Sequence, residues 1–150
     1  MSQTNNTREI ELQITLDHDL GDRDDDNCLV IREDQRHLEF ESLQDPTKPH
    51  TITWTLGGNA AQGHFCAFDE AANPGFLWLV RTPGGSHFRN LLRSSNNTQI
   101  TLANRHSNPE SKGHWFYQLF ARFPNGRVYG VPLTFAAGSS SNPNPSIKNR

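Results

Sequence analysis

Residues 113–135 read GHWFYQLFARFPNGRVYGVPLTF, and this stretch decides the fold. Trp115, Tyr117, Leu119, Ala121 and Phe123 alternate with Phe116, Gln118, Phe120 and Arg122. A period of two places the first set on one face of a strand. Tyr129, Val131, Leu133 and Phe135 form the matching apolar set on a return strand. A two-residue turn at Asn125-Gly126 would set the apolar face of one strand against the polar face of the other, which a half-buried sheet does not tolerate. A three-residue loop, Pro124-Asn125-Gly126, removes the conflict. It pairs Ala121 with Tyr129, Leu119 with Val131, Tyr117 with Leu133 and Trp115 with Phe135. Proline suits the second position of a type I turn and asparagine the third, leaving Gly126 the left-handed position of the bulge that follows. On the other face Phe120 falls opposite Gly130, where a ring can cover bare backbone. Pro132 lacks an N–H, so the return strand is expected to be an edge or to bulge there.

Working outward, Arg8 to Leu16 alternates Ile10, Leu12, Ile14 and Leu16 against Glu9, Glu11 and Gln13, a strand with one wet face. Short strands are predicted at Cys28–Arg32, Leu38–Ser42, Thr51–Leu56, Phe65–Phe68, Phe76–Val80 and Thr98–Ala103. Residues 81–97 read as loop, 1–7 as a polar, frayed end, and 138–150 as a Ser/Asn/Pro-rich tail after a 1–137 domain. No segment keeps helical periodicity over three turns, and no internal repeat is visible. About eight or nine short strands separated by turn signals point to an antiparallel β-sandwich, with a jelly roll or small open barrel as the alternative. Trp54 on a central strand and Tyr117 on the penultimate one suit an immunoglobulin-like sandwich, although that fold's inter-sheet cysteine pair is missing.

The C-terminal Asn144-Pro145-Ser146-Ile147-Lys148-Asn149, following the long strand pair, resembles the closing Asp-Pro-x-Ile-x-Asn element of the DP-EP family of uncharacterised bacterial proteins, with asparagine in place of the aspartate. The resemblance implies a small immunoglobulin-like sandwich and no known activity.

Composition narrows the function classes. A chain of 150 residues suits one domain with a real core, and 33% hydrophobic residues leave much of it to loop and surface. A net charge of −2 without a basic cluster argues against phosphate-neutralising contacts to nucleic acid. No apolar run reaches membrane-spanning length, and MSQTNNTREIELQ carries no secretory signal. A cytoplasmic setting follows, in which Cys28 and Cys66 are free thiols.

Six aspartates (Asp17, Asp19, Asp22, Asp24, Asp25 and Asp26) crowd into ten positions. Counted from Asp22, the run places Asp22, Asp24 and Asp26 at the first, third and fifth positions of a calcium loop and Glu33 at the twelfth, with Asn27 standing for the usual sixth-position glycine. The competing reading is a solvated turn, since no helices flank it. A blue-copper site would need a histidine soon after a cysteine and a nearby axial ligand; Cys66 has no such histidine, and the only methionine is Met1. His64 and Cys66, at i and i+2, supply at most two zinc ligands. Gly84-Gly85-Ser86-His87 lacks the spacing of a nucleophile elbow, and no glycine-rich phosphate loop is present. No catalytic residue is assigned. Phe116 and Phe120 lie opposite the expected core face and form a candidate interface for a protein partner or a homodimer. Trp78 and Trp115 raise sugar stacking, but both alternate with apolar neighbours and read as core. The function expected is a non-enzymatic binding or interaction module, with a carbohydrate- or calcium-binding module as the alternative.

Overall fold

The computed structural model describes residues 7–132 and 144–150. Its strands are β1 (Glu9–Leu16), β2 (Leu29–Ile31), β3 (His37–Phe40), β4 (His50–Leu56), β5 (His64–Phe65), β6 (Phe76–Leu79), β7 (Phe88–Arg93), β8 (Gln99–Asn104), β9 (Gly113–Arg122), β10 (Val128–Gly130) and β11 (Ser146–Asn149). They form two packed sheets, one ordered β2-β1-β4-β8-β7 and the other β10-β9-β11-β3, with β5 and β6 also paired to β9. The β-sandwich expected from the alternation is observed. The strand count rises to eleven, and the sheets are mixed rather than antiparallel throughout, because β1 runs parallel to β4 and β11 parallel to β3.

β9 is the spine of the second sheet. The predicted turn forms: Gly126 N–H donates to the Phe123 carbonyl at 2.9 Å, Phe123 N–H donates to the Arg127 carbonyl at 3.0 Å, and Gly126 has φ +82°. A side chain at that φ would be strained, which is why glycine closes this loop. The register follows as expected, with Tyr129 opposite Ala121 and Gly130 opposite Phe120. The Phe120 ring lies where a Gly130 Cβ would come within 2.6 Å of it, so only glycine admits the covering ring.

Beyond Gly130 the hairpin departs from the prediction, and β10 ends before Pro132. The Gln118 side chain takes the place of a strand: its amide donates to the Val131 carbonyl at 2.8 Å, and its oxygen accepts from Val131 N–H at 2.9 Å and Leu119 N–H at 2.8 Å. Further along β9, the positions expected for Leu133 and Phe135, which lie outside the described residues, are held by Pro145 and Ile147. Tyr117 N–H donates to the Pro145 carbonyl, and Ile147 pairs with Trp115. The expected 138–150 tail is therefore corrected over its last residues: β11 lies between β9 and β3, with Ile147 fully buried. Residues 1–6 and 138–143 of the two expected polar ends lie outside the described residues.

A second correction is β7, within the stretch read as loop. Its FRNLLR sequence loses the period-two pattern because a bulge between Arg89 and Leu92, with Asn90 at φ +57°, turns side chains out of phase.

Between the sheets, the inward residues of β1 (Leu12, Ile14, Leu16) and β4 (Ile52, Trp54, Leu56) meet those of β9 (Trp115, Tyr117, Leu119, Ala121). At the centre Trp54 and Tyr117 are fully buried, and the indole N–H donates to the tyrosine oxygen at 3.1 Å. Phe76 stacks on Tyr117 with centroids 5.5 Å apart. Burial pushes the Tyr117 hydroxyl pKa well up, so it remains a neutral hydrogen-bonding group.

Candidate functional site

The face of β9 turned away from this core carries His114, Phe116, Gln118 and Phe120. Pairing places Leu79 beside Phe116, Leu77 beside Gln118, and Ser146 on the other side of Phe116. Lys148 lies by His114 and Glu39 by Lys148. An apolar stripe of Leu77, Leu79, Phe116 and Phe120 thus runs across the outer face of the second sheet, bordered by His114, Lys148 and Glu39. Leu77 is 40% exposed; Phe116 and Phe120 are half-buried. Phe116 is stacked on His114 with centroids 5.9 Å apart.

The stripe ends at β6, which among the described residues pairs with β9 alone. Phe120 N–H donates to the Gly75 carbonyl, which fixes the alternation. Leu77 and Leu79 turn their backbone groups toward β9, whereas Phe76 and Trp78 turn theirs outward. Val80 ends the strand at φ +70° with Arg81 N–H donating to the Leu79 carbonyl at 2.7 Å. That is a γ-turn of the rarer, strained hand, here on a β-branched residue that is 90% exposed. Arg81 then lays its guanidinium over the Trp115 ring, 3.9 Å from the centroid, and donates to the His114 carbonyl at 3.2 Å. Of the exposed large hydrophobics among the described residues, Leu77, Val80 and Leu92, two belong to this edge. Sequence reading missed it. Every residue of Phe76–Val80 is apolar, so alternation cannot tell an inner face from an outer one, and edge position is not a local property.

The acidic loop has a different geometry from a calcium site. Asp24–Asp26 form a 3₁₀ turn, and Asn27 is extended at φ −111° instead of left-handed. β2 then separates Asp26 from Glu33, which begins another 3₁₀ turn. The carboxylates have neighbours of their own: Asp24 accepts from Gly21 N–H at 2.8 Å, Asp25 pairs with Arg127 at 2.5 Å, and Asp26 with Arg23 at 2.8 Å. The Tyr129 hydroxyl donates to the Asp24 carbonyl, tying the loop to the hairpin. Asp22, Asp24, Asp26 and Glu33 are not brought together, and among the described residues no three His, Cys, Asp or Glu side chains gather as ligands for an ion.

His64 is exposed and bonds the Asn96 carbonyl, while Cys66 is buried and its thiol is pushed up to about 11, first by burial. Both cysteines are free thiols. Trp115 lies beneath Arg81, 3% exposed; Trp78, half-buried, packs its edge on Phe76 and tilts against Phe88. Neither ring is presented flat to solvent. His87 is buried, and its Nδ1 has no hydrogen-bond partner among the described residues. The wet face of the first sheet holds a shallow groove lined by Glu9, Ile10, Glu11, Thr51 and Thr53.

One buried polar cluster was invisible in the sequence. Asn104 and Asn149 donate to each other's side-chain oxygens at 2.8 and 3.3 Å, and Asn149 also donates to the Ser111 carbonyl at 2.9 Å. His106 sits between the Ser111 hydroxyl and the Arg150 main-chain oxygen, each 2.5 Å away. The Ser–His pair resembles a nucleophile and its base. However, Ser111 is fully buried, and its hydroxyl donates to the Asn108 carbonyl within a capping box. Its geometry is that of a structural tie, since a nucleophile must reach substrate.

Among the described residues no helix is long and apolar enough to cross a membrane. No protein-family model, curated protein or solved structure matches the chain.

Proposed function

We propose that this protein is a non-enzymatic, cytoplasmic interaction module that takes a partner protein on the outer face of its second sheet. The observation that supports this reading is the exposed Leu77 aligned with the half-buried Phe116 and Phe120 on one apolar stripe. A patch of this kind, rimmed by polar residues, is the usual mark of a protein contact. Completing the burial of the two rings and Leu77 would contribute on the order of 2–4 kcal/mol before the cost of association, which suits a weak or regulated contact. Kinship with the DP-EP family belongs to the same reading and rests on the Asn144–Asn149 segment. Affinity capture from the native host tests the proposal, using wild type and Phe116→Glu, each checked for folding by circular dichroism. A partner held by wild type and lost by the variant supports it. Identical captured sets would overturn it.

A further inference from the structure

The edge of β6 beside this stripe, unpaired among the described residues, points to a partner, and the inference rests on the interaction reading above. We propose that a second copy of this chain extends the second sheet by antiparallel pairing of β6 with its symmetry mate, about a two-fold axis at Trp78. A two-fold pairing of one strand with itself requires opposing residues to share a sheet face, and it requires outward backbone groups to lie opposite one another. With the axis at Trp78 both conditions hold. Trp78 exchanges its N–H and C=O bonds with the partner's Trp78, Leu77 lies beside the partner's Leu79, and the ladder stops where each Phe76 meets the γ-turn at the other copy's Val80. An axis at Phe76, the other residue whose groups turn outward, would set Trp78 opposite Pro74, which has no N–H to give. The Trp78 register also brings each copy's Phe76 end next to the other's Val80, a residue that is 90% exposed.

Charge favours the same arrangement. The turn carrying Asp69 and Glu70 folds back on the start of β6, since Glu70 N–H and Gly75 N–H both donate to the Ala67 carbonyl. Arg81 follows the other end of the strand. Antiparallel pairing therefore lays the Arg81 end of each copy beside the acidic turn of the other, where Asp69 is exposed and Glu70 already pairs with Arg122 at 2.7 Å. Exposed sheet edges are ordinarily guarded by charge or proline. Here β7 carries Arg89 and Arg93, β3 carries His37 and Glu39, β10 runs into Pro132, and the apolar edge β2 is only three residues long and runs into Arg32. β6, with the sequence FLWL, has neither guard.

Sedimentation velocity over a concentration series decides whether the protein dimerises, and a spin label decides where. Wild type is expected to show a monomer–dimer equilibrium in the micromolar range, and Leu77→Glu to remain folded and lose the dimer. In a Cys28→Ser background, nitroxides on Leu77→Cys should lie within about 20 Å of each other, because cross-strand and diagonal neighbours are only ~5–8 Å apart before the label arms are added. If Leu77→Glu fails to fold, the label distance alone decides. A monomeric wild type overturns the inference, as does a dimer whose labels lie far apart. Either result leaves the partner-protein reading to its own capture test, because a Phe116-dependent partner of another sequence would still support it.

Discussion

The sandwich is sealed in two different ways. Its centre is aromatic: Trp54, Tyr117 and Phe76 pack within 5.1–5.5 Å of one another, with one internal hydrogen bond. One end is polar: His50, Asn104, His106, Ser111 and Asn149 are all buried, and each is held by hydrogen bonds to named partners. The comparison shows that burial has two kinds of support. Apolar burial needs only complementary shape, so its effect scales with the area and volume removed from water. Polar burial contributes little until every donor and acceptor is met, after which losing one partner strands the rest.

Four measurements can break or sharpen that contrast. The largest effect belongs to the centre. Trp54→Ala should destabilise by about 3–5 kcal/mol in urea unfolding, the range for emptying a large buried site; a loss well below that would mean the centre can collapse around the gap. Next comes the polar end, where Asn149→Ala should cost about 1–3 kcal/mol, since it leaves the Asn104 amide without its acceptor and takes from the Ser111 carbonyl one of two donors, the other being the Trp115 indole N–H. Combining it with Asn104→Ala should cost less than the two single losses added together. Strict additivity would show that the amides act separately.

Smaller still, Tyr117→Phe should cost about 1 kcal/mol by removing the acceptor of the Trp54 indole N–H while keeping the ring in place. An unchanged urea midpoint would make that bond irrelevant and the centre wholly a matter of packing.

The mildest test is pH. His50 accepts from Arg8 N–H at Nδ1 and contacts the Glu41 carbonyl through Nε2, an arrangement that fits the neutral Nε2–H form. Burial first, with His106 and Arg8 nearby, lowers its pKa below the ordinary 6.5, although the Glu41 carbonyl pulls the other way. The unfolded chain then binds the proton more readily than the folded one. The His50 contribution is complete above pH 6.5, falls as pH drops through that value toward the folded pKa, and levels off below it. The slope is at most ~1.4 kcal/mol per pH unit. His50→Gln should flatten this dependence and Tyr117→Phe should leave it intact; the reverse pattern would put the proton linkage elsewhere.

How much of this could be read in advance differs between the two regions. Alternation marked Leu12, Ile14, Leu16, Trp54, Trp115 and Tyr117 as inward-facing, because a half-buried strand has no other low-energy arrangement. For the candidate interface, Phe116 and Phe120 were legible as the opposite face of β9. Leu77 and Val80 were not, since uniform hydrophobicity in β6 carries no phase. The polar end gave no signal, because asparagine, serine and histidine read as surface until a partner distant in sequence is known. Asn104 and Asn149 are 45 residues apart.

By itself the sequence determined the strands with one wet face, the three-residue turn at Pro124-Asn125-Gly126, the register of Ala121 with Tyr129, and the all-β class. These follow from the two-residue period and from left-handed backbone at glycine, both properties of neighbouring residues. Only the tertiary structure decided that Gln118 closes the hairpin in place of a strand, that residues 146–149 enter the second sheet beside β3, that β1 lies parallel to β4, and that β6 pairs with β9 alone among the described residues. Each of these choices depends on which distant backbone groups meet, because a buried N–H or C=O is costly until some partner satisfies it, and local sequence does not say which partner that will be.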